Sequence, residues 1–128
     1  MSTFIIDVDG TICDAPLVEG RYDYPNAVPI TETIERIKHL KESGHTIVLN
    51  TSRGMRTYRG DRDMIEVNVR PIMEEWLKKH DVPYDSLHMC KPWGPDPIYV
   101  DNRNLSLKSF VWKHPDQFET IIQEENTI

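Results

Sequence analysis

Two aspartates near the start of the chain are spaced so that they can act together. Asp7 and Asp9 end an apolar, isoleucine-rich stretch and are followed by Gly10, which allows the chain to turn. Two carboxylates held this close repel each other unless a cation joins them or one stays protonated. Mg²⁺, a hard ion that prefers oxygen ligands, fits such a pair. On its own the pair is more typical of a turn or a helix cap.

Further polar residues follow other apolar segments of the chain. Thr51 and Ser52 come after one such segment, where hydroxyls and backbone amides can cradle a phosphate. Lys91 follows a second segment, and Asp101 ends a third. Taken singly, each is more typical of a turn, a cap or a solvated surface charge. Their joint placement after predicted strands favours a shared site.

Strands and helices are predicted to alternate along the chain. Apolar segments predict strands at Thr3–Val8, Thr46–Leu49, Leu87–Cys90 and Ile98–Val100. Apolar residues at helical spacing predict helices over 30–40 and 65–77, with Pro71 starting or kinking the second, and a last helix from Pro115. The proline-rich residues 13–29 predict a loop or a small hairpin. This alternation predicts an α/β fold with a parallel sheet, in which ligands bind beyond the carboxyl ends of the strands.

Length and composition predict one globular domain over residues 1–128. The net charge of -6 makes nucleic acid a poor expected partner. No apolar run reaches the roughly 20 residues that span a bilayer, and the N-terminus does not resemble a signal peptide. We therefore expect a cytoplasmic protein without a membrane partner. Cys13 and Cys90 are expected to be thiols that pack as small apolar groups.

The order of these motifs resembles that of the haloacid dehalogenase superfamily over nearly the whole chain. Asp7-Val8-Asp9-Gly10-Thr11 is similar to its first motif, Thr51 to its second, Lys91 to its third and Asp101 to its fourth. The segments Met55–Tyr58 and Lys91–Trp93 resemble a small capless branch whose members are described as capsule or polysaccharide biosynthesis phosphatases. The resemblance implies an α/β, Rossmann-like parallel sheet with helices on both faces and no cap domain.

The resemblance also implies a Mg²⁺-dependent phosphatase acting on a small phosphorylated metabolite such as a sugar phosphate. Asp7 is then the nucleophile that forms an aspartyl-phosphate, and Asp9 the general acid and base. Mg²⁺ is held by the Asp7 carboxylate, the Asp9 carbonyl and Asp101. Thr51, Ser52 and Lys91 bind the phosphoryl group.

Two residues depart from the pattern of this branch. Asn102 stands where close relatives carry a second acid, and Cys90 where they often carry glycine. The loss of an acid leaves open a catalytically weak phosphate-binding or phosphoacceptor protein of the same fold. A phosphotransferase or a dehalogenase shares the nucleophile, although Asp9 disfavours the dehalogenase.

The intervals between the motifs leave no room for a cap domain, so other groups must select the substrate. Arg53, Arg56 and Tyr58 are candidates, since arginine forks suit carboxylate or phosphate groups. A solvated basic loop is an equally good interpretation of this segment. We also expect a homo-oligomer in which a neighbouring subunit covers the site, through the helix that carries Trp76 or the loop that carries Tyr58.

Overall fold

The structure, a computed structural model, describes all residues from Met1 to Ile128. The chain forms two compact units, Met1–Trp93 and Gly94–Ile128, which are described separately. The expectation of one domain over residues 1–128 stays a prediction.

The first unit begins with a strand that leads into the predicted site. Strand β1 covers Thr3–Asp7, and Ile6 and the following Val8 are buried. Gly10 then adopts a φ of 84°, which favours glycine because residues with a Cβ are strained there. The chain therefore turns sharply after the two aspartates, as the sequence predicts.

Residues 13–29 form a small irregular insertion between β1 and the first helix. Strands β2 (Cys13–Asp14) and β5 (Val28–Pro29) pair in antiparallel fashion, as do β3 (Leu17–Val18) and β4 (Arg21–Tyr22). A single 3₁₀ turn, Tyr24–Asn26, lies between β4 and β5. The predicted loop or hairpin is confirmed, and this segment forms no separate cap domain.

Helix α1 and strand β6 complete the first β–α–β unit. Helix α1 covers Thr31–Glu42 and buries the face that includes Ile34 and Ile37. Gly44, with a φ of 90°, follows the helix as the sequence predicts, and β6 covers Thr46–Asn50.

Pro71 divides the next helical segment into two helices. Helix α2 covers Arg62–Asn68, α3 covers Arg70–Lys79, and Pro71 occupies the first turn of α3, where its missing N–H costs nothing. The predicted restart at this proline is confirmed. Strand β7 follows at Ser86–His88.

The three longer strands form one parallel sheet in the order β1-β6-β7. Their register places Asp7 level with Asn50, and Asn50 level with His88. The carboxyl ends of the strands are therefore aligned, and the residues that follow them start from one edge. This arrangement confirms the predicted α/β class and parallel sheet.

The second unit is helical, with α4 at Leu107–Trp112 and α5 at Phe118–Asn126. The prediction of a strand at Ile98–Val100 is wrong: these residues form no strand, and Ile98 and Val100 are 86% and 90% exposed. A strand requires a partner for its backbone groups, and this unit contains no other strand. None of the helices in the protein is both long and apolar enough to cross a lipid bilayer.

Candidate active site

Asp7 is the last residue of β1, and its carboxylate lies next to a lysine. Lys91 Nζ is 3.4 Å from Asp7 Oδ1, and the two side chains are only 15% and 35% exposed. The hydroxyl of Thr11 donates a long hydrogen bond of 3.5 Å to Asp7 Oδ2. The structure thus brings together the first and third predicted motifs.

Burial and Lys91 act on the pKa of Asp7 in opposite directions. Burial raises the pKa of this carboxyl and is the largest effect, while the charge and hydrogen bond of Lys91 lower it. The Val8 backbone N–H also lowers the pKa, and the charge of Asp9 raises it. Because the net shift is upward, the ionised carboxylate is less well solvated than one in water. An additional positive charge near Asp7 would therefore stabilise its ionised carboxylate.

The carboxylate of Asp9 is held by Arg53. Arg53 Nε donates to Asp9 Oδ2 at 3.0 Å, and Nη2 donates to Oδ1 at 2.8 Å. The arginine side chain is only 3% exposed, and the ring of Tyr24 covers its Cζ at 4.0 Å. A bidentate pair of this kind fixes direction as well as distance. Arg53 therefore orients Asp9, and its predicted contact with substrate stays a prediction.

No sequence pattern predicts this pairing, because the two residues are 44 positions apart. The third guanidinium nitrogen, Arg53 Nη1, is buried and has no hydrogen-bond partner. A buried guanidinium nitrogen without a hydrogen-bond partner is costly, so this arginine lowers the stability of the fold.

A buried thiol packs against the same carboxylate. Cys13 Sγ lies 3.6 Å from Asp9 Oδ1 and 3.8 Å from Arg53 Nη2. Burial, followed by the charge of Asp9, raises the pKa of Cys13 to about 12. Cys13 therefore stays a thiol at neutral pH, as the sequence predicts, and it donates to Asp9 rather than competing with it.

Thr51 is buried and connects the second motif to the third. Its Oγ1 accepts the backbone N–H of Arg53 at 3.1 Å, and its carbonyl accepts the backbone N–H of Lys91 at 3.0 Å. The residue before the lysine, Cys90, has a φ of 64°, in the region that favours glycine. The backbone of Thr51 thus helps to position Lys91 beside Asp7. Binding of a phosphoryl group by Thr51 stays a prediction.

A cavity of about 930 Å³ opens beside Asp9. The predicted residues Ser52, Arg53 and Arg56 line it, whereas Asp7 and Tyr58 do not. It is also lined by residues that the sequence interpretation did not select, among them Arg21, Tyr22, Tyr24 and Trp93. Most of these come from the insertion 13–29, where irregular composition gave no pattern from which to assign a role.

Asp101, predicted as a metal ligand, belongs to the second unit. Its Oδ1 accepts the backbone N–H of Arg103 at 3.0 Å, as in a turn, and its carbonyl accepts from the Asn104 side chain. No group of three or more His, Cys, Asp or Glu side chains in the protein is arranged to hold a metal ion. Metal binding by Asp7, Asp9 and Asp101 therefore stays a prediction.

The chain is similar over nearly its whole length to a protein of known structure. A protein from Vibrio cholerae, known from a crystal structure, is 35% identical; the match covers 98% of this chain and 99% of that chain, with a TM-score of 0.88. A chain of the Pnkp1/Rnl/Hen1 RNA repair complex is 25% identical over 69% of this chain and 25% of its own length, with a TM-score of 0.50.

A weaker overlap is found with a D,D-heptose 1.7-bisphosphate phosphatase from B. bronchiseptica, complexed with magnesium and phosphate. It is 23% identical over 75% of this chain and 52% of that chain, with a TM-score of 0.48. No family model and no curated protein sequence matches the chain. The chain thus belongs to the family of the Vibrio cholerae protein, and its fold is an α/β fold with a parallel sheet and no separate cap domain.

Proposed function

We propose that the protein is a phosphatase that hydrolyses a phosphomonoester through a covalent intermediate on Asp7. One observation carries the proposal. The partly buried Asp7 carboxylate lies at the carboxyl end of a parallel strand beside Lys91, and Asp9, two residues later, faces a cavity large enough for a leaving group. This is the arrangement that a nucleophile and a neighbouring acid–base group require.

The proposed reaction has two steps. An oxygen of Asp7 forms a bond to phosphorus while the ester P–O bond breaks, and Asp9 gives a proton to the departing oxygen. Asp9 then takes a proton from water, which attacks the aspartyl-phosphate, releases inorganic phosphate and restores Asp7. Lys91 offsets the negative charge of Asp7 and of the transferred group, and Thr51 and Ser52 supply hydrogen-bond donors to it.

Mg²⁺ is the proposed cofactor, held by the Asp7 carboxylate, the Asp9 carbonyl and Asp101. The donors are all oxygen, and Mg²⁺ typically takes one or two carboxylates and keeps several waters, so the set suits this ion. The raised pKa of Asp7 is consistent with a site built for an additional positive charge. When bound, Mg²⁺ shields the two anions from each other as they approach.

A phosphoacceptor protein with little turnover is the second candidate, and one feature favours it. Both oxygens of Asp9 accept hydrogen bonds from Arg53, so this pairing limits how far the carboxylate can move toward a leaving group or a water molecule. A chain in which Asp9 never leaves Arg53 would form the aspartyl-phosphate and hydrolyse it slowly. The lifetime of the intermediate distinguishes this protein from a phosphatase.

The substrate is proposed to be a small phosphorylated metabolite such as a sugar phosphate. Assignment to capsule or polysaccharide biosynthesis rests on the resemblance of Met55–Tyr58 and Lys91–Trp93 alone, and it stays part of the proposal.

The direct test is hydrolysis of an aryl phosphate by the purified protein in the presence and absence of Mg²⁺. We expect release of phosphate that stops in EDTA and returns with excess Mg²⁺. Full activity in EDTA would contradict the role of Mg²⁺. Lack of hydrolysis of every phosphomonoester tested, with Mg²⁺ present, would contradict the phosphatase assignment.

A further inference from the structure

The cavity beside Asp9 lies on the side of the site where the leaving group must be. Asp9, the proposed proton donor to the departing oxygen, lines this cavity, and Asp7, the proposed nucleophile, does not. In an in-line displacement the leaving group lies opposite the nucleophile. The rest of the substrate therefore occupies the space between Asp9, Ser52 and the insertion 13–29.

The size of the cavity is that of a whole small molecule rather than of a phosphoryl group. Its volume of about 930 Å³ lies near the upper end of the range found for small-molecule sites. Two exposed aromatic side chains line it, Tyr22 at 59% and Trp93 at 41% exposure. Such rings provide faces for the carbon skeleton of a bound molecule.

The charge of the lining differs in sign from that of the chain as a whole. Arg21 and Arg56 line the cavity, both are exposed, and neither forms an ion pair with any carboxylate of the protein. Arg53 is already paired with Asp9, so its charge is balanced. Only Asp14 opposes the two unpaired arginines, although the chain carries a net charge of -6.

We infer that the substrate carries a second anionic group on its leaving-group side, a phosphate or a carboxylate, which Arg21 and Arg56 bind. The neighbouring N–H groups of a guanidinium can bind either group, because phosphate and carboxylate both present at least two neighbouring oxygens. This inference rests on the proposed phosphatase function and narrows its substrate class to phosphomonoesters that carry a second anionic group.

The test compares pairs of substrates that differ only in the second anion. For phosphate the pair is a hexose bisphosphate and the corresponding hexose monophosphate. For carboxylate it is a phosphorylated sugar acid and the corresponding phosphorylated sugar. A charge-assisted hydrogen bond contributes enough for a preference of roughly tenfold or more in kcat/KM. We expect this preference in at least one pair, and the pair that shows it identifies the anion.

Variants then assign the preference to the two arginines. Arg21→Ala and Arg56→Ala should each reduce the ratio of kcat/KM within the preferred pair severalfold, and Arg56→Lys should retain part of it. Arg62→Ala is the matched control, because Arg62 is also exposed but does not line the cavity. Its ratio should equal that of the wild type.

Equal kcat/KM values within both pairs would overturn the inference, as would a preference that survives in both alanine variants. Either result leaves the phosphatase function intact if the aryl phosphate is hydrolysed. If no phosphoester is hydrolysed, the proposed function fails, and calorimetric titration still decides the inference. Tighter binding of the hexose bisphosphate than of the monophosphate, lost in Arg56→Ala, supports the anion site, and equal binding refutes it.

Discussion

Asp7 and Asp9 are two residues apart, yet their carboxylates lie in different surroundings. Asp7 is partly buried beside a single ammonium group, whereas Asp9 accepts two hydrogen bonds from a buried guanidinium. Two similar carboxylates can take different catalytic roles when their surroundings differ. Burial raises the pKa of Asp7 and leaves its carboxylate poorly solvated, as suits a nucleophile. Arg53 directs the Asp9 carboxylate toward the cavity.

The Asp9–Arg53 pair is expected to act as one unit in proton transfer. Asp9→Asn should lower kcat on a poor leaving group by roughly 10²- to 10⁴-fold, and by much less on an activated aryl phosphate. Arg53→Ala should show the same dependence on the leaving group, because it removes the group that orients Asp9. The double variant should be little slower than Asp9→Asn alone, since coupled residues are not additive. Additive losses would show that Arg53 acts independently of Asp9.

At the residue scale, the sequence alone predicts the site residues that directly follow strands. Asp7, Asp9, Thr51 and Lys91 were identified because polar residues after apolar runs share one sheet edge, and the structure brings Lys91 to Asp7 and Thr51 to the Lys91 backbone. The contacts of Arg53 with Asp9 and Tyr24 depend on side-chain directions in a folded loop. No periodicity in the sequence encodes those directions.

Among the elements, the loop after β6 is held in place by a tight contact with α2. Gly54 has a φ of 88°, and a Cβ at this position would lie 2.7 Å from Val69 Cγ2 and 3.4 Å from Ile65 Cγ1. Gly54 also lines the cavity. The loop that carries Arg53 and Arg56 therefore depends on the absence of a side chain at one position.

Gly54→Ala should destabilise the protein through two separate effects. The left-handed backbone costs a residue with a Cβ about 1–2 kcal/mol, and overpacking against Val69 adds about 1–3 kcal/mol. Gly60→Ala is the control, since Gly60 also has a positive φ (75°) but meets only Met55 Cε at 3.7 Å. Urea denaturation should give a larger loss of unfolding free energy for Gly54→Ala than for Gly60→Ala. Equal losses would mean that the loop shifts to accommodate the added Cβ without a further loss of stability.

Elements with strong local signals were predicted well, and one that depends on pairing was not. The restart at Pro71 and the stop at Gly44 follow from backbone chemistry within a few residues. The short run Ile98–Val100 is apolar enough for a strand, but a strand exists only where another strand accepts its hydrogen bonds. Pairing of that kind cannot be decided from three residues.

For the whole molecule, a subunit interface near the site, formed by the helix that carries Trp76 or the loop that carries Tyr58, remains our proposal. Trp76 is only 3% exposed and donates its indole N–H to the Ala27 carbonyl at 3.0 Å, so it belongs to the core. On the neighbouring helix α2, Met64 and Val67 are 45% and 72% exposed. These apolar side chains are further candidates for a contact between subunits.

Light scattering is expected to give a mass at least twice that of the 15.0 kDa chain. Val67→Glu should shift this mass toward the monomer, because a charge placed in an apolar interface is costly. It should also lower activity on small substrates if the neighbour covers the site. A strict monomer at high protein concentration would reject the oligomer and favour a large phosphorylated substrate that needs no cover.

The covalent intermediate on Asp7 is the central claim, and rapid quenching followed by peptide mass spectrometry tests it most directly. The protein is mixed with an aryl phosphate and Mg²⁺, quenched in acid during turnover and digested. We predict that the peptide containing Asp7 gains the mass of one phosphoryl group, and that Asp7→Asn shows neither this modification nor turnover, because an amide is not a usable nucleophile. A phosphoryl group on another residue, or wild-type turnover by Asp7→Asn, would contradict the mechanism.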